Sequence, residues 1–275
     1  MIKLVSMEHP AYSQLRPVTE SAAVVLCPNP GYSSLEGTNT WVIRAPEDAA
    51  SIVIDPGPED EGHLNVVQQK AGNVALTLIT HRHHDHADSI DRFRQLSGVP
   101  VRGFDVSYCR GGEKLVDGEI ISVPGVTPQI EVVHTPGHTS DSACFFIWSG
   151  EVGSSTLEGI VSGDTIVGRH TTMISETDGE LGAYLSSLRM LEERGENVML
   201  LPAHGPENPN AAALARKYID RREQRLQQVR DARAALGDDA SIAELVDHIY
   251  TDVDPVLRGA AAQSTRVTVR YLDSL

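Results

Sequence analysis

The stretch that most constrains this chain is Thr80-His81-Arg82-His83-His84-Asp85-His86, lying directly behind the apolar run Val74-Ala75-Leu76-Thr77-Leu78-Ile79. Four of the eleven histidines fall within six residues, beside a carboxylate. That composition suits holding a metal better than filling a core. A strand ending at Ile79 would carry His81 and His83 to one side of the chain, because side chains two apart share a face. Asp85 and His86 follow in the turn and can address a second position nearby. The competing reading is a solvated polar loop with surplus histidines.

Three further motifs weigh against the polar loop. They are His134-Thr135-Pro136-Gly137-His138-Thr139, Ser162-Gly163-Asp164-Thr165 and Pro202-Ala203-His204-Gly205-Pro206, and each stands just behind an apolar run. In order and content these motifs resemble the metallo-β-lactamase superfamily over about residues 20 to 205. The resemblance implies an α+β fold, the αββα sandwich, with a metal site at the edge of its two sheets. It assigns His81, His83 and His134 to one metal and Asp85, His86 and His204 to a second, with Asp164 between the two. The implied cofactor is zinc, two ions per chain, with manganese or iron as alternatives, and the implied chemistry is hydrolysis by a metal-bound water. Two ions about 3.5–4 Å apart can share and activate such a water. Asp85 and Asp164 are then the catalytic carboxylates, Asp85 accepting the proton of the water. Asp55, which ends the strand Ser51–Ile54, and His138 are candidates to hydrogen-bond the metal loop from behind. His84 fills a variable position of the motif and reads as a loop residue. Arg169, Thr171 and Thr172, just past the Asp164 turn, are candidates for substrate contact.

The remaining text fits layers of helix outside two packed sheets. Strands are expected at Val24–Cys27, Trp41–Arg44, Val99–Val101, Leu115–Val116, Glu119–Val123, Ile130–Val133, Ser142–Trp148 and Gly159–Ser162, helices at Glu59–Lys70, Ala87–Ser97 and Leu181–Glu193, and Val198–Leu201 is an apolar run that ends at the His204 loop. From Asn210 the text turns helical and rich in Ala, Arg and Gln, with a capping-box pattern at Ser241-Ile242-Ala243-Glu244. The expected division is a metal-hydrolase domain over residues 1–205 and a small helical domain over 206–275. The second part resembles the winged-helix-like domain of the β-lactamase-like protein 2 subfamily, chiefly at Ile249-Tyr250 and Val269-Arg270-Tyr271-Leu272.

Charge and cysteine usage narrow the function. The net charge is −15; the first 204 residues carry 27 acidic against 13 basic side chains and the rest 11 against 10. Such acidity opposes loose, long-range attraction of polyanions. Cys27, Cys109 and Cys144 are scattered, so neither a disulfide framework nor a thiolate metal knot is indicated. No apolar run is long enough to span a bilayer. Met1 to Glu20 reads as neither secretory signal nor transit peptide, so the expected location is the cytoplasm.

The ligand set separates branches of the superfamily. Zinc β-lactamases with a cysteine ligand carry it where this chain has Asp164, which disfavours lactam hydrolysis. The β-lactamase-like protein 2 resemblance implies a hydrolase whose substrate is single-stranded RNA. The alternative is a small ester or thioester, as in glyoxalase II. A third reading is a zinc-stabilised binding module without catalysis. The RNA reading would use the basic residues of one helix, Arg216, Lys217, Arg221, Arg222, Arg225, Arg230 and Arg233, whose competing role is a solvated face. The oligomeric state is open.

Overall fold

A computed structural model describes residues 9–275. The first eight residues, part of the segment read as lacking a signal, lie outside the described chain. The elements in order are β1 (Leu15–Pro17), β2 (Ala22–Leu26), β3 (Asn39–Ile43), β4 (Ser51–Ile54), α1 (Glu61–Ala71), β5 (Val74–Leu78), α2 (His84–Ala87), α3 (Ile90–Ser97), β6 (Val101–Arg102), β7 (Ile120–Ile121), β8 (Gln129–His134), β9 (Ala143–Trp148), β10 (Leu157–Gly163), α4 (Leu181–Arg194), β11 (Met199–Pro202), α5 (Ala211–Leu236), α6 (Ile242–Ile249) and α7 (Arg258–Asp273).

Two mixed sheets form. One runs β1-β2-β3-β4-β5-β6 and the other β11-β10-β9-β8-β7. The parallel pair β4 and β5 needs a crossover, which α1 supplies. The strands carry apolar residues at nearly every position because both faces of each sheet are covered. Trp41, Ile43, Ile52 and Ile54 face Ile130, Val132, Phe145 and Ile147 across the inter-sheet core. The alternate residues Val42 and Val53 pack outward on Leu64 and Val67 of α1 and Phe93 of α3. On the other side Cys144, Phe146 and Ile160 pack on Leu185 and Leu188 of α4 and on Ala215 and Tyr218 of α5. The period-2 alternation of each strand thus sorts its side chains between two cores, and the result is the expected αββα sandwich with a helical region behind it.

Three local expectations are corrected. Leu115–Val116 is no strand: Leu115 is buried and Val116 exposed in a turn. The helix expected over Ala87–Ser97 divides into α2 and α3, because Ser89 leaves helical geometry and its hydroxyl donates to the Gly57 carbonyl at 2.6 Å. After Pro202 the described chain holds helices and no strand, so the region expected to be winged-helix-like is a helical region without a hairpin wing. The capping box forms as read: Glu244 N–H donates to Ser241 Oγ, and the Glu244 carboxylate receives Ser241 N–H.

The helical region does not stand apart from the sandwich. Ala211, Ala215, Tyr218, Leu226 and Val267 belong to the same apolar cluster as Phe146 and Ile160. Tyr218 and Tyr184 each donate a hydroxyl hydrogen at 2.8 Å, to the carbonyls of Val167 and Thr165. The loop that follows Asp164 is thereby fixed from behind by α4 and α5. Among the described residues no helix is long and apolar enough to cross a membrane.

Candidate metal centre

Four chain segments leave the same edge of the sandwich and meet there, and the turn after β8, which carries His138, is a fifth. The first follows β4, where Asp55 takes a left-handed conformation, φ 51°. Its carboxylate, 1% exposed, turns back under the next segment. Asp55 Oδ1 accepts from Thr80 N–H at 2.8 Å, and Oδ2 from the Thr80 hydroxyl at 2.6 Å and His86 Nδ1–H at 2.9 Å. One carboxylate therefore fixes the entry of the histidine loop and the ring in its first helical turn. β5 ends at Leu78, His81 and His83 follow, the latter in extended backbone, and α2 presents Asp85 and His86. The third segment is the turn at Gly163, φ 51°, which precedes Asp164; a Cβ on Gly163 would lie 2.8 Å from the Thr80 side chain. The fourth follows β11 and carries His204.

The ring orientations follow from what lies behind each histidine. A carbonyl or carboxylate can only accept, so the nitrogen facing it must carry the hydrogen. His86 Nδ1 faces Asp55, His204 Nδ1 faces the Gly37 carbonyl at 3.1 Å, and His138 Nδ1 faces the Met173 carbonyl. The Thr80 hydroxyl is already committed to Asp55, so His81 Nδ1–H must donate to it, at 3.1 Å. Whenever these four rings are neutral, as a metal ligand must be, Nε2 is then a bare lone pair aimed inward. His81 Nε2 and His138 Nε2 converge on His83 Nδ1 at 3.0 and 2.9 Å. One hydrogen at most can sit there, so at least one of these close approaches is unbonded. On the other side His204 Nε2 lies 3.2 Å from Asp85 and 3.3 Å from Asp164. His86 Nε2 stands 3.7 and 3.8 Å from the same two carboxylates.

This arrangement fits divalent cations. His86 Nε2, His204 Nε2 and Asp164 Oδ1 are buried polar atoms without a hydrogen-bond partner, and buried polar atoms left unpaired are costly. His81, His83, His138 and Asp164 form one group of mutually close donors, and Asp85, His86 and His204 a second. Asp164 reaches both, with Oδ2 3.7 Å from His138 Nε2 and Oδ1 on the His86 and His204 side. The electrostatics agree. Burial lowers His81 well below its usual value and His83 to about 4, so those rings stay neutral donors. Burial also opposes charge on His86, but Asp85, Asp55 and Asp164 outweigh it and push its pKa up to about 10, showing that this corner draws positive charge.

The sequence assignment is corrected at one ligand. His134 does not join the cluster. It ends β8 with its ring stacked on Phe104, centroids 4.3 Å apart, and Nε2 donating to the Ser140 carbonyl at 2.9 Å. The Pro136-Gly137 turn then reverses the chain and brings in His138. Gly137 has φ 138°, and a Cβ there would fall 2.3 Å from the Tyr184 backbone, so the turn is pressed against α4. His84 lies outside both donor groups, its side chain 80% exposed.

A groove of about 900 Å³ opens over the cluster, taking in His83, Asp85, His138 and Asp164 and continuing to α5 and α7. Arg169, Thr171 and Thr172 all line it. Arg169 pairs with Glu36, and Thr172 is buried with its hydroxyl turned to the Thr165 carbonyl at 3.5 Å. Sequence reasoning named no lining residue from α7, which supplies Ala260, Ala261 and Val267; the small-residue run Gly259-Ala260-Ala261-Ala262 was the available signal.

Fold and site together define a hydrolase with a His/Asp cluster suited to divalent metal. Residues 34–204 match the family model described as the metallo-beta-lactamase superfamily, and the chain belongs to that superfamily. It is similar to an atrochrysone carboxyl ACP thioesterase of Aspergillus chevalieri, 30% identical over 228 residues, covering 80% of this chain and 68% of the relative. A beta-lactamase-like protein 2 homolog of Caenorhabditis elegans is 25% identical over 280 residues, covering 96% and 88%. Among solved structures, a beta-lactamase domain protein from Burkholderia ambifaria superimposes with TM-score 0.77 at 17% identity, covering 98% of this chain and 91% of that one.

Proposed function

We propose that the chain is a dinuclear zinc thioesterase that hydrolyses an acyl thioester carried on a pantetheine-type arm. The observation that carries this reading is the groove. Beyond the metal cluster its mixed lining includes an apolar set, Leu35, Val167, Ile174, Leu181, Leu257 and Val267, which suits an acyl group. The relatives named as thioesterases support the same reaction class.

His81, His83 and His138 would hold one ion and Asp85, His86 and His204 the other, with Asp164 between; zinc suits this all-nitrogen-and-oxygen set, as manganese and iron do. Bound there, divalent ions supply an activated water and polarise the acyl carbonyl. Asp55, Gly37 and Met173 hold the rings of His86, His204 and His138 from behind, so the cluster is pre-organised. Asp85 stands at the groove with its side chain 14% exposed and takes one proton from the attacking water. The water oxygen bonds to the acyl carbon, the carbon–sulfur bond breaks with its electron pair on sulfur, and the proton on Asp85 passes to that sulfur. A carboxylic acid and a free thiol leave.

Cleavage of single-stranded RNA would need cationic side chains free along several nucleotides. On α5, however, Arg216 pairs with Glu192 and Arg233 with Asp273, while Arg221 donates to the carbonyl of His170. This supports an acyl-sized substrate over a strand. The test is a parallel assay of zinc-loaded protein on an acyl-CoA, an acyl-N-acetylcysteamine, a single-stranded RNA and a phosphodiester dye. Thioester turnover is expected to exceed the others by about 100-fold and to vanish in Asp164→Ala. RNA cleavage without thioester hydrolysis would overturn the proposal.

A further inference from the structure

The groove that takes in the metal cluster also takes in Arg221, Arg222, Arg225 and Tyr250. In a chain of net charge −15 this is a local reversal of sign. Arg221 and Arg222 are adjacent and Arg225 lies one helical turn on, so the three guanidinium groups gather on one side of α5. Arg222 lies 5.2 Å from the centroid of the Tyr184 ring, donates one hydrogen to the Thr172 carbonyl, and leaves its Nε buried without a partner. The Arg225 guanidinium lies 4.1 Å over the Tyr250 ring, half-buried. Among the described residues neither has a carboxylate within ion-pair distance, whereas Arg216, Arg233, Arg258 and Arg266 each have one. Stacking orients a guanidinium but leaves its in-plane N–H groups free, and a fork of that kind matches the oxygens of a phosphate.

We infer that Arg225 and Arg222, backed by Tyr250 and Tyr184, form a phosphate subsite that receives the phosphate of a 4′-phosphopantetheine thioester. The inference rests on the thioesterase reading and specifies its substrate: a phosphorylated pantetheine arm, whether free in coenzyme A or attached to a carrier protein. The apolar wall takes the acyl group, the cluster takes the thioester, and the arm runs toward α5 with its phosphate against the two arginines. Burial and the neighbouring Arg222 both disfavour charge on Arg225, and a bound phosphate would offset both.

The first measurement is calorimetric binding to metal-free protein, which removes any contribution from a thiol on metal. 4′-Phosphopantetheine is expected to bind about tenfold or more tightly than pantetheine. The preference should disappear in Arg225→Ala, persist in part in Arg225→Lys, and weaken with salt. The second measurement is turnover: Arg225→Ala should raise KM for acyl-phosphopantetheine about tenfold while leaving acyl-N-acetylcysteamine, which has no phosphate, unchanged. Acyl-CoA and an acyl carrier protein, run side by side, identify the physiological source of the arm, and a raised KM for either in Arg225→Ala supports the subsite. Equal binding of phosphopantetheine and pantetheine to the wild type would overturn the inference. So would equal damage to the N-acetylcysteamine thioester, or Arg225-dependent binding of single-stranded RNA without any phosphopantetheine preference. An intact binding preference in a protein that hydrolyses no thioester would retain the subsite and refute the thioesterase reading instead.

Discussion

Replacing Asp55 by Ala or Asn separates the folding role of the metal loop from its metal affinity. Asp55 holds three donors from a position with almost no solvent access: Thr80 N–H at 2.8 Å, the Thr80 hydroxyl at 2.6 Å and His86 Nδ1–H at 2.9 Å. In Asp55→Ala the hydroxyl can rotate, but the amide and the ring nitrogen are left buried without an acceptor. At about 1–3 kcal/mol for each stranded group, the metal-free protein should lose about 2–6 kcal/mol. That is a large part of an ordinary domain stability of about 5–15 kcal/mol. Asp55→Asn preserves the shape and one acceptor oxygen for the Thr80 amide, so its loss should be smaller, about 1–3 kcal/mol. Its amide nitrogen nevertheless meets His86 Nδ1–H donor to donor, forcing the ring to turn or change tautomer. Metal affinity of the His86 site should then fall about 10–100-fold, the usual effect of removing a ligand's outer hydrogen bond. Urea unfolding of the metal-free proteins gives the first number, and competition with a chelating dye the second. An Asn variant that binds two ions as tightly as the wild type would refute the claim that Asp55 orients His86.

Three other outcomes are expected. His138→Ala should release one metal ion and abolish turnover, whereas His134→Ala and His84→Ala keep both ions by elemental analysis; metal loss in His134→Ala would restore the original register. His63 is buried, and its Nε2–H must donate to the Thr40 hydroxyl at 2.9 Å, because that hydroxyl is committed to the Asp55 carbonyl. Burial pushes the His63 pKa down to about 4, so as pH falls below 6.5 the unfolded chain takes the proton first. Up to about 3 kcal/mol of stability is therefore lost between pH 6.5 and 4, and urea midpoints of His63→Gln should fall less over that window than those of the wild type. Burial pushes Cys27 up to about 12 and Cys144 to about 11, so peptide mass spectrometry after iodoacetamide at pH 8 should find neither modified in native protein and both modified in urea.

The parts of the molecule legible in the sequence are those fixed by neighbours along the chain. Ser51-Ile52-Val53-Ile54 reads as a strand and is β4 because its alternate side chains enter two cores, and the Ser241/Glu244 pattern closes because both partners lie within one turn. The histidine loop was equally readable: His81, His83, Asp85 and His86 all enter the cluster. His134 and His138 show where such reading stops. His134 ends an apolar strand and His138 follows four residues later, and each is followed directly by a threonine. Which one faces the cluster depends on Phe104, which stacks on His134, and on Tyr184, whose backbone presses Gly137 into its turn. Those contacts come from segments about 30 and 47 residues away in the sequence, and local pattern carries no trace of them.

The same limit governs the reading of α5. Seven basic residues on one helix look alike in sequence, yet their fates diverge according to partners on other elements. Glu192 of α4 takes Arg216, Asp273 of α7 takes Arg233, and the loop behind Asp164 takes one hydrogen each from Arg221 and Arg222. Of the three that line the groove, Arg221, Arg222 and Arg225, the last two are each set against a tyrosine ring. A strand of nucleic acid requires charge spread along its length, whereas a single phosphate at the end of a flexible arm requires two forks at one place. The packing of α4 and α7 against α5 therefore converts a basic helix into a local anion site. This is why Arg222→Ala and Arg225→Ala should act on the same phosphate and be less than additive in the binding of 4′-phosphopantetheine. Strict additivity, with each variant contributing independently, would place the two arginines on different groups of the ligand and refute a shared phosphate subsite.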